Sequence, residues 1–280
     1  MKIFLPGGAG LVGLNLIDTI ESNFPNWQIL VVDKDTKKVN FGKKLYPKVE
    51  FVCEDLNNLS ENNNLRKSIQ DINSCVILQA EISNLNASEF INNNVLSTQT
   101  LIKELKKLNC KRIIHISSSV INSISDDIYT KTKTEQEIIV KENFPNSLIL
   151  RPTLMFGRFD NKHLGWIANF MSKIPILPIP GNGRFIRQPL YVKDFCSIIL
   201  KGLEDDSING TFNITGLEKI SYLSLMKKIK TIIKSNTIFI FIPKSVFSLL
   251  LKIWALVSSK PVFTDSQLNA LLAGDEFDIF

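Results

Sequence analysis

The stretch that most constrains this chain is Gly7-Gly8-Ala9-Gly10-Leu11-Val12-Gly13. Before it, Lys2-Ile3-Phe4-Leu5 reads as a short buried strand. After it, Leu11, Leu14, Ile17 and Ile20 begin a helical pattern. Strand, glycine turn and helix in that order make the phosphate-binding corner of a dinucleotide fold. Gly7 permits the tight turn, Gly10 lets backbone approach a pyrophosphate, and Gly13 lets the helix lie close to the sheet. The helix N-terminus, with Leu11 and Val12 in its first turn, offers free N–H groups and a partial positive charge. The spacing is G-x-x-G-x-x-G, one residue wider at the front than the usual fingerprint, so the rest of the chain has to carry the assignment.

It does so in sequence order. Trp27 to Val32 reads as a second strand ending at Asp33, 20 positions after Gly13. A carboxylate there accepts hydrogen bonds from the adenosine ribose hydroxyls and repels a 2′-phosphate, which favours NAD over NADP. Lys34, Lys37 and Lys38 beside it keep NADP open. Val49 to Cys53, Ser74 to Ala80 and Lys111 to Ser117 read as further strands, apolar on both faces. Between the last two, Phe90 to Asn109 has helical periodicity. Alternating strands and helices of this kind predict an α/β fold with a Rossmann-type doubly wound parallel sheet.

The fifth strand ends in Ser117-Ser118-Ser119, and Tyr129-Thr130-Lys131-Thr132-Lys133 opens the next helix. Tyr129 and Lys133 are four apart and share a helical face. A phenol titrates near ~10 and works as a base at neutral pH only when positive charge stabilises the phenolate. The Lys133 ammonium and an oxidised nicotinamide supply such charge, and Lys133 can also hold the nicotinamide ribose. A serine at the neighbouring strand end can donate to the substrate oxygen. Such a set removes a proton from a carbinol as hydride leaves, or does the reverse.

Composition excludes other classes. The chain has 280 residues, 44% of them hydrophobic, enough for a large core. Its net charge of +6 is scattered, with no dense basic stripe for nucleic acid, and suits an anionic substrate or a membrane surface. The two histidines, His115 and His163, argue against a zinc site or a Ser-His-Asp triad, so no metal is expected. His115 lies in an apolar run and reads as a core residue. Cys53, Cys75, Cys110 and Cys196 show no C-x-x-C spacing and read mainly as buried thiols of a reducing compartment. Met1 runs straight into the first strand with no room for a signal peptide, which predicts a cytoplasmic protein.

These stretches together resemble the extended short-chain dehydrogenase/reductases, the NAD-dependent epimerase/dehydratase group that acts on nucleotide sugars. The resemblance also covers Asp55-Leu56, Asn94 to Thr98, Leu150 to Gly157, Arg187 to Asp194 and Gly210 to Ile214. It implies that Asp55 and Leu56 face the adenine, that Ala80 lines the cofactor, and that Asn94 braces the site. It assigns the catalytic serine to Ser118 or Ser119, and Phe156 and Arg187 to the substrate, the guanidinium gripping a diphosphate. It also implies a homodimer through the helices at 87–109 and 129–143. Two departures stand out. Only nine residues separate Ser119 from Tyr129, where the family has a longer loop, and Gln79-Ala80-Glu81 places an acid where a small or basic residue is usual.

The expected function is therefore an NAD-dependent epimerase acting on a nucleotide sugar or sugar diphosphate. The alternatives are an NAD(P)H-dependent keto-sugar reductase and a non-catalytic NAD-binding assembly subunit. Val120-Ile121 stands where a dehydratase carries an Asp-Glu pair, which ranks dehydration lower. Residues 1–156 with about 185–216 read as the dinucleotide domain, and 157–184 with 217–280 as a substrate lobe. Within that lobe, Val246 to Val257 is apolar nearly all round but too short to span a bilayer, which needs roughly 20 residues. It reads either as a buried helix or as a membrane-surface helix suited to a lipid-linked sugar, which would make the protein peripheral to the membrane. The chain ends abruptly at Asp275 to Phe280, where family members commonly continue.

Overall fold

Strand β1 (Lys2–Pro6) shows why the centre of this protein is a sheet covered on both faces. Its successive side chains point to opposite sides. Ile3 and Leu5 join one apolar core and Phe4 joins another, and all three are fully buried. The computed structural model describes residues 1–82, 84–122, 127–257, 265–274 and 277. In chain order the further strands are β2 (Gln28–Asp33), β3 (Glu50–Cys53), β4 (Ser74–Ile77), β5 (Arg112–Ile116), β6 (Leu148–Pro152) and β7 (Met155–Phe156). Then come β8 (Ile176–Pro180), β9 (Ile186–Arg187), β10 (Leu190–Tyr191), β11 (Gly210–Ile214), β12 (Ile220–Ser221) and β13 (Ile238–Ile242).

The main sheet runs β11-β6-β5-β4-β1-β2-β3, every pair parallel. The order reverses between β1 and β4, where Ile3 pairs with Ser74. In doubly wound sheets the crevice beyond the strand ends at such a reversal is where ligands bind. Helices α1 (Leu11–Asn23), α2 (Thr36–Leu45), α3 (Asn63–Ser68), α4 (Ala87–Phe90), α5 (Ser97–Lys107) and α6 (Ile128–Asn143) connect the strands. They are followed by α7 (Leu164–Lys173), α8 (Val192–Glu204), α9 (Tyr222–Ile232), α10 (Lys244–Val257) and α11 (Asp265–Ala273). Leu16 and Ile17 of α1 and Phe195 and Ile199 of α8 fill the core on one face, and Leu101, Ile102 and Val140 of α5 and α6 fill it on the other.

The helical pattern at Phe90 to Asn109 is interrupted. Between α4 and α5 lies a π-helical segment, Ile91–Leu96, carrying Asn92, Asn93 and Asn94. Asparagine favours bonds to nearby backbone over the regular ladder, and Asn93 Nδ2 indeed donates to the Glu89 carbonyl at 2.7 Å. π-Segments of this kind concentrate at functional sites.

Beyond β6 a third, smaller core gathers Leu164, Met171, Leu177, Ile179, Ile220, Tyr222, Leu225 and Met226. Residues 164–180 hold α7 and β8, and β8 pairs in parallel with β13. Leu251 of α10 is buried, but Val246, Leu249, Leu250, Ile253 and Trp254 are exposed, so α10 is not the buried helix allowed by its composition. Most of the residues at the chain's end, and 123–126 of the Ser119–Tyr129 loop, lie outside the described residues.

Candidate active site

At the glycine corner Gly7, Gly8 and Gly13 are demanded by contact. Gly7 has φ +73°, a region that disfavours side chains, and a Cβ on it would sit 2.5 Å from Gln79 Cα and N. Gly13 lies against the backbone of Gly8, so the helix is packed on the turn itself. Around Gly10, by contrast, a Cβ would meet only the Gly7 carbonyl at 3.7 Å, which leaves the space in front of the turn open. Gly10 caps α1 without any side-chain hydrogen bond, and no acidic residue occupies the first turn. Its N–H groups, those of Leu11 and Val12 included, are thus left for an anion, which fits a dinucleotide pyrophosphate.

Tyr129 and Lys133 stand one turn apart on α6. Tyr129 makes a hydrogen bond with Ser118, and its ring lies 6.4 Å from that of Phe90. Ser118 Oγ also accepts from Val120 N at 3.4 Å, whereas Ser119 is buried in the following turn. The geometry therefore puts Ser118, and not Ser119, beside the phenol. Lys133 is 1% exposed, and its Nζ donates to the Ile116 carbonyl at 2.9 Å and to Gln136 Oε1 at 2.5 Å.

The electrostatics differ from the reading by spacing. Burial pushes the Lys133 ammonium down to about 7, with the Glu137 carboxylate opposing it. Burial also pushes the Tyr129 phenol above its ordinary value; the Ser118 hydrogen bond works against this and Asp127 adds to it. The cation that was to depress the phenol is directed at Ile116 and Gln136. Without a dinucleotide the phenol stays neutral.

A buried polar chain continues from Lys133 toward the glycine turn. Gln136 Nε2 donates to Thr98 Oγ1 at 2.9 Å and to the Gln79 carbonyl at 3.3 Å, and Gln79 Nε2 reaches Thr98 Oγ1 at 3.1 Å. Asn94 is fully buried; its Nδ2 donates to Thr132 Oγ1 at 3.0 Å and its Oδ1 accepts from Glu81 N at 2.7 Å. The side chain thus ties the π-segment to α6 and fixes the backbone after Ala80. Among the unusual Gln79-Ala80-Glu81, the glutamine side chain serves this chain and the glutamate backbone serves Asn94.

Glu137 anchors the same helix to the sheet. Its carboxylate accepts from Arg151 Nη2 at 2.6 Å, Lys141 Nζ at 2.7 Å and Ser117 Oγ at 2.9 Å. Burial raises its pKa, but the Arg151, Lys141 and Ser117 hydrogen bonds outweigh it and hold the carboxyl below its ordinary value. A depressed carboxyl stabilises the fold above its unfolded pKa, and that stability disappears as pH falls through the folded value. Glu137→Gln is expected to cost about 3 kcal/mol in urea unfolding at pH 7, because it leaves Arg151 half-buried without its counter-charge. The gap between variant and wild type should close as the pH falls below the ordinary carboxylate range. A gap constant with pH would show that the carboxylate's charge contributes nothing.

At the C-terminal end of β2, Asp33 closes the strand and its Oδ1 accepts from Asp35 N at 3.0 Å. Lys34 is engaged with Asn93 Oδ1 at 2.5 Å and Glu89 at 3.6 Å, and Lys38 with Asp35 at 3.8 Å. Asp55 caps the turn at Leu56–Asn58, accepting from Asn57 N at 2.9 Å, and Leu56 is buried. Phe156 lies on β7 and Arg187 on β9. The Phe156 ring lies 5.6 Å from Tyr191, and Arg187 Nη1 donates to the Leu271 carbonyl at 3.5 Å.

Residues 3–215 match the NAD dependent epimerase/dehydratase family. The chain belongs to that family. It is 25% identical over 218 residues to the mouse mitochondrial NADH dehydrogenase [ubiquinone] 1 alpha subcomplex subunit 9, covering 77% of this chain and 57% of that protein. It is 24% identical over 270 residues to the dTDP-D-glucose 4,6-dehydratase of Dictyostelium discoideum, covering 81% and 61%. The chain thus spans less than two thirds of either relative. A solved structure of UDP-glucuronic acid 4-epimerase from Bacillus cereus in complex with NAD superposes with a TM-score of 0.75 at 24% identity, covering 87% of this chain and 88% of that one.

For this family member, sequence reading missed Gln136, Thr98 and Glu137. Gln136 and Glu137 follow Lys133 by three and four positions, the spacing at which helix neighbours meet, so the signal was present. It also missed Lys162, whose ammonium is held below its ordinary value by burial and by Lys38, against Glu81, Asp35 and Asp33. That brings a residue from far along the chain into the electrostatic field of the β2 end. Nothing local in the sequence links those positions.

Proposed function

We propose that this protein is an NAD-dependent epimerase of a nucleotide sugar or sugar diphosphate. The reading rests on one observation above the others: Tyr129, hydrogen-bonded to Ser118 and one turn from Lys133, stands on the helix that packs beside the crevice headed by the glycine corner. Bound NAD supplies a hydride acceptor that can return the hydride to the same carbon. Tyr129 Oη takes the carbinol proton and gives it back, and Ser118 holds the substrate oxygen. Lys133, drawn from Gln136 toward the ribose hydroxyls, supplies the positive charge that the phenol lacks in the free protein. Asp33 faces the adenosine ribose, and the engagement of Lys34 and Lys38 elsewhere supports NAD over NADP. Arg187 and Phe156 face the sugar diphosphate from dinucleotide-domain positions that adjoin the lobe in sequence, the lobe being taken as residues 157–184 with 217–280. Ile91, Leu96 and Ile138 are exposed apolar side chains on the helices at 87–109 and 129–143, which supports a homodimer there.

An epimerase keeps its cofactor through the cycle, whereas a keto-sugar reductase exchanges it. Acid denaturation of the purified protein followed by mass spectrometry is therefore expected to release NAD. Binding of added NADPH by a protein that releases none would replace epimerase by reductase. A second reading, a non-catalytic dinucleotide-binding subunit, draws support from the likeness to the mouse NADH dehydrogenase subunit.

A further inference from the structure

From Lys219 to Thr264 the sequence has eight lysines, at 219, 227, 228, 230, 234, 244, 252 and 260, and no Asp, Glu or Arg. The whole chain carries +6, so everything outside this stretch sums to −2. The positive excess of the protein is thus concentrated in one segment, beyond the residues matched by the family.

The same segment holds many of the exposed large apolar side chains among the described residues. On α10 the outward face is Val246, Leu249, Leu250, Ile253 and Trp254, each 46–57% exposed, while Leu251 turns inward. The helix is therefore amphipathic in the reverse of the usual sense for a surface helix, with its apolar stripe facing away from the core. The preceding β13 continues the surface. Ile238 and Ile240 are exposed, and across the ladder Ile238 pairs with Ile176, itself 44% exposed. Lys244 and Lys252 flank the α10 stripe, Lys252 at 66% side-chain exposure with Asp265 3.8 Å away. No helix among the described residues is long and apolar enough to cross a membrane. An apolar face rimmed by lysine and carrying a tryptophan is the composition of an element that lies in a bilayer interface.

We propose that the outward face of β13 and α10 docks on an anionic lipid bilayer, its lysines meeting the lipid phosphates. The charge of the segment selects this occupant over a second copy of the chain, because two such faces would bring like charges together. Docking here would hold the protein at the membrane by the side of the lobe, independently of which reaction the Tyr129 site performs.

The test uses the full chain with phosphatidylserine–phosphatidylcholine vesicles and with pure phosphatidylcholine vesicles. The protein is expected to sediment with the first far more than with the second, and to release near 1 M salt, where the Debye length falls to ~3 Å. Each lysine near an anionic surface strengthens binding roughly fivefold, so Lys244→Ala with Lys252→Ala should weaken it about 25-fold. Brominated lipid should quench the fluorescence of Trp254. Trp254→Phe should sediment like the wild type yet lose that quenching, which keeps the test independent of misfolding. Failure to sediment with either vesicle overturns the proposal. So does a dimer in analytical ultracentrifugation that Leu250→Glu dissolves, since a second copy would then be the occupant.

Discussion

Tyr129→Phe is expected to lower turnover by roughly 10²- to 10⁴-fold, the usual contribution of a positioned acid–base group, while dinucleotide affinity stays within a few-fold. Phenylalanine keeps the ring that lies near Phe90 and deletes only the hydroxyl that bonds Ser118. The fold therefore has no reason to change. Conversion of UDP- and dTDP-hexoses, followed by NMR of the products, gives turnover; calorimetry with NAD gives affinity. A variant that keeps turnover would remove Tyr129 from the chemistry. If wild type and variant bind NAD alike, convert nothing, and rescue a deletion strain equally, the subunit reading replaces the enzyme. The pH profile offers a second check. Lys133 sits near 7 in the free protein because it is buried, and its charge is what the phenolate needs, so Gln136→Leu should shift the profile as well as the rate.

The other large effect is expected at Gly13. A Cβ there would lie 2.5 Å from the carbonyl carbon and Cα of Gly8 and closer still to its oxygen. These are backbone atoms of a turn whose own N–H groups are bonded to Leu5 and Val32, so they have little freedom to yield. Gly13→Ala should cost more than ~4 kcal/mol, at the upper limit for a single substitution, and abolish dinucleotide binding. Gly10→Ala, where the nearest atom is 3.7 Å away, should fold normally and lose only affinity, because its methyl would enter the space before the helix N-terminus. Chemical denaturation and NAD calorimetry on the pair separate the two roles. Equal stability losses would show that the turn tolerates a methyl at either place.

These contrasts mark what the linear sequence determined by itself. The strand–glycine–helix corner, the acid closing β2 and the Tyr129–Lys133 spacing are local patterns, each imposed by the geometry of a single turn or helix. They were readable because a helix puts positions four apart on one face whatever surrounds it. Alternation of apolar runs with helical patterns likewise led to the parallel sheet, since strands buried on both faces need helices to cover them. The tertiary structure alone decided the rest. Ser118 and Ser119 are equivalent in sequence; only the turn after β5 brings one hydroxyl to Tyr129 and buries the other. Lys133 looked like the phenol's partner, but packing of α6 against the end of β5 set the Ile116 carbonyl beside its ammonium, next to Gln136 of the same helix, and stripped its solvation. The apolar run at α10 was compatible with burial or exposure, because composition records how much apolar surface a helix has and not which side the core occupies. Its orientation was decided by the three-dimensional packing around Leu251.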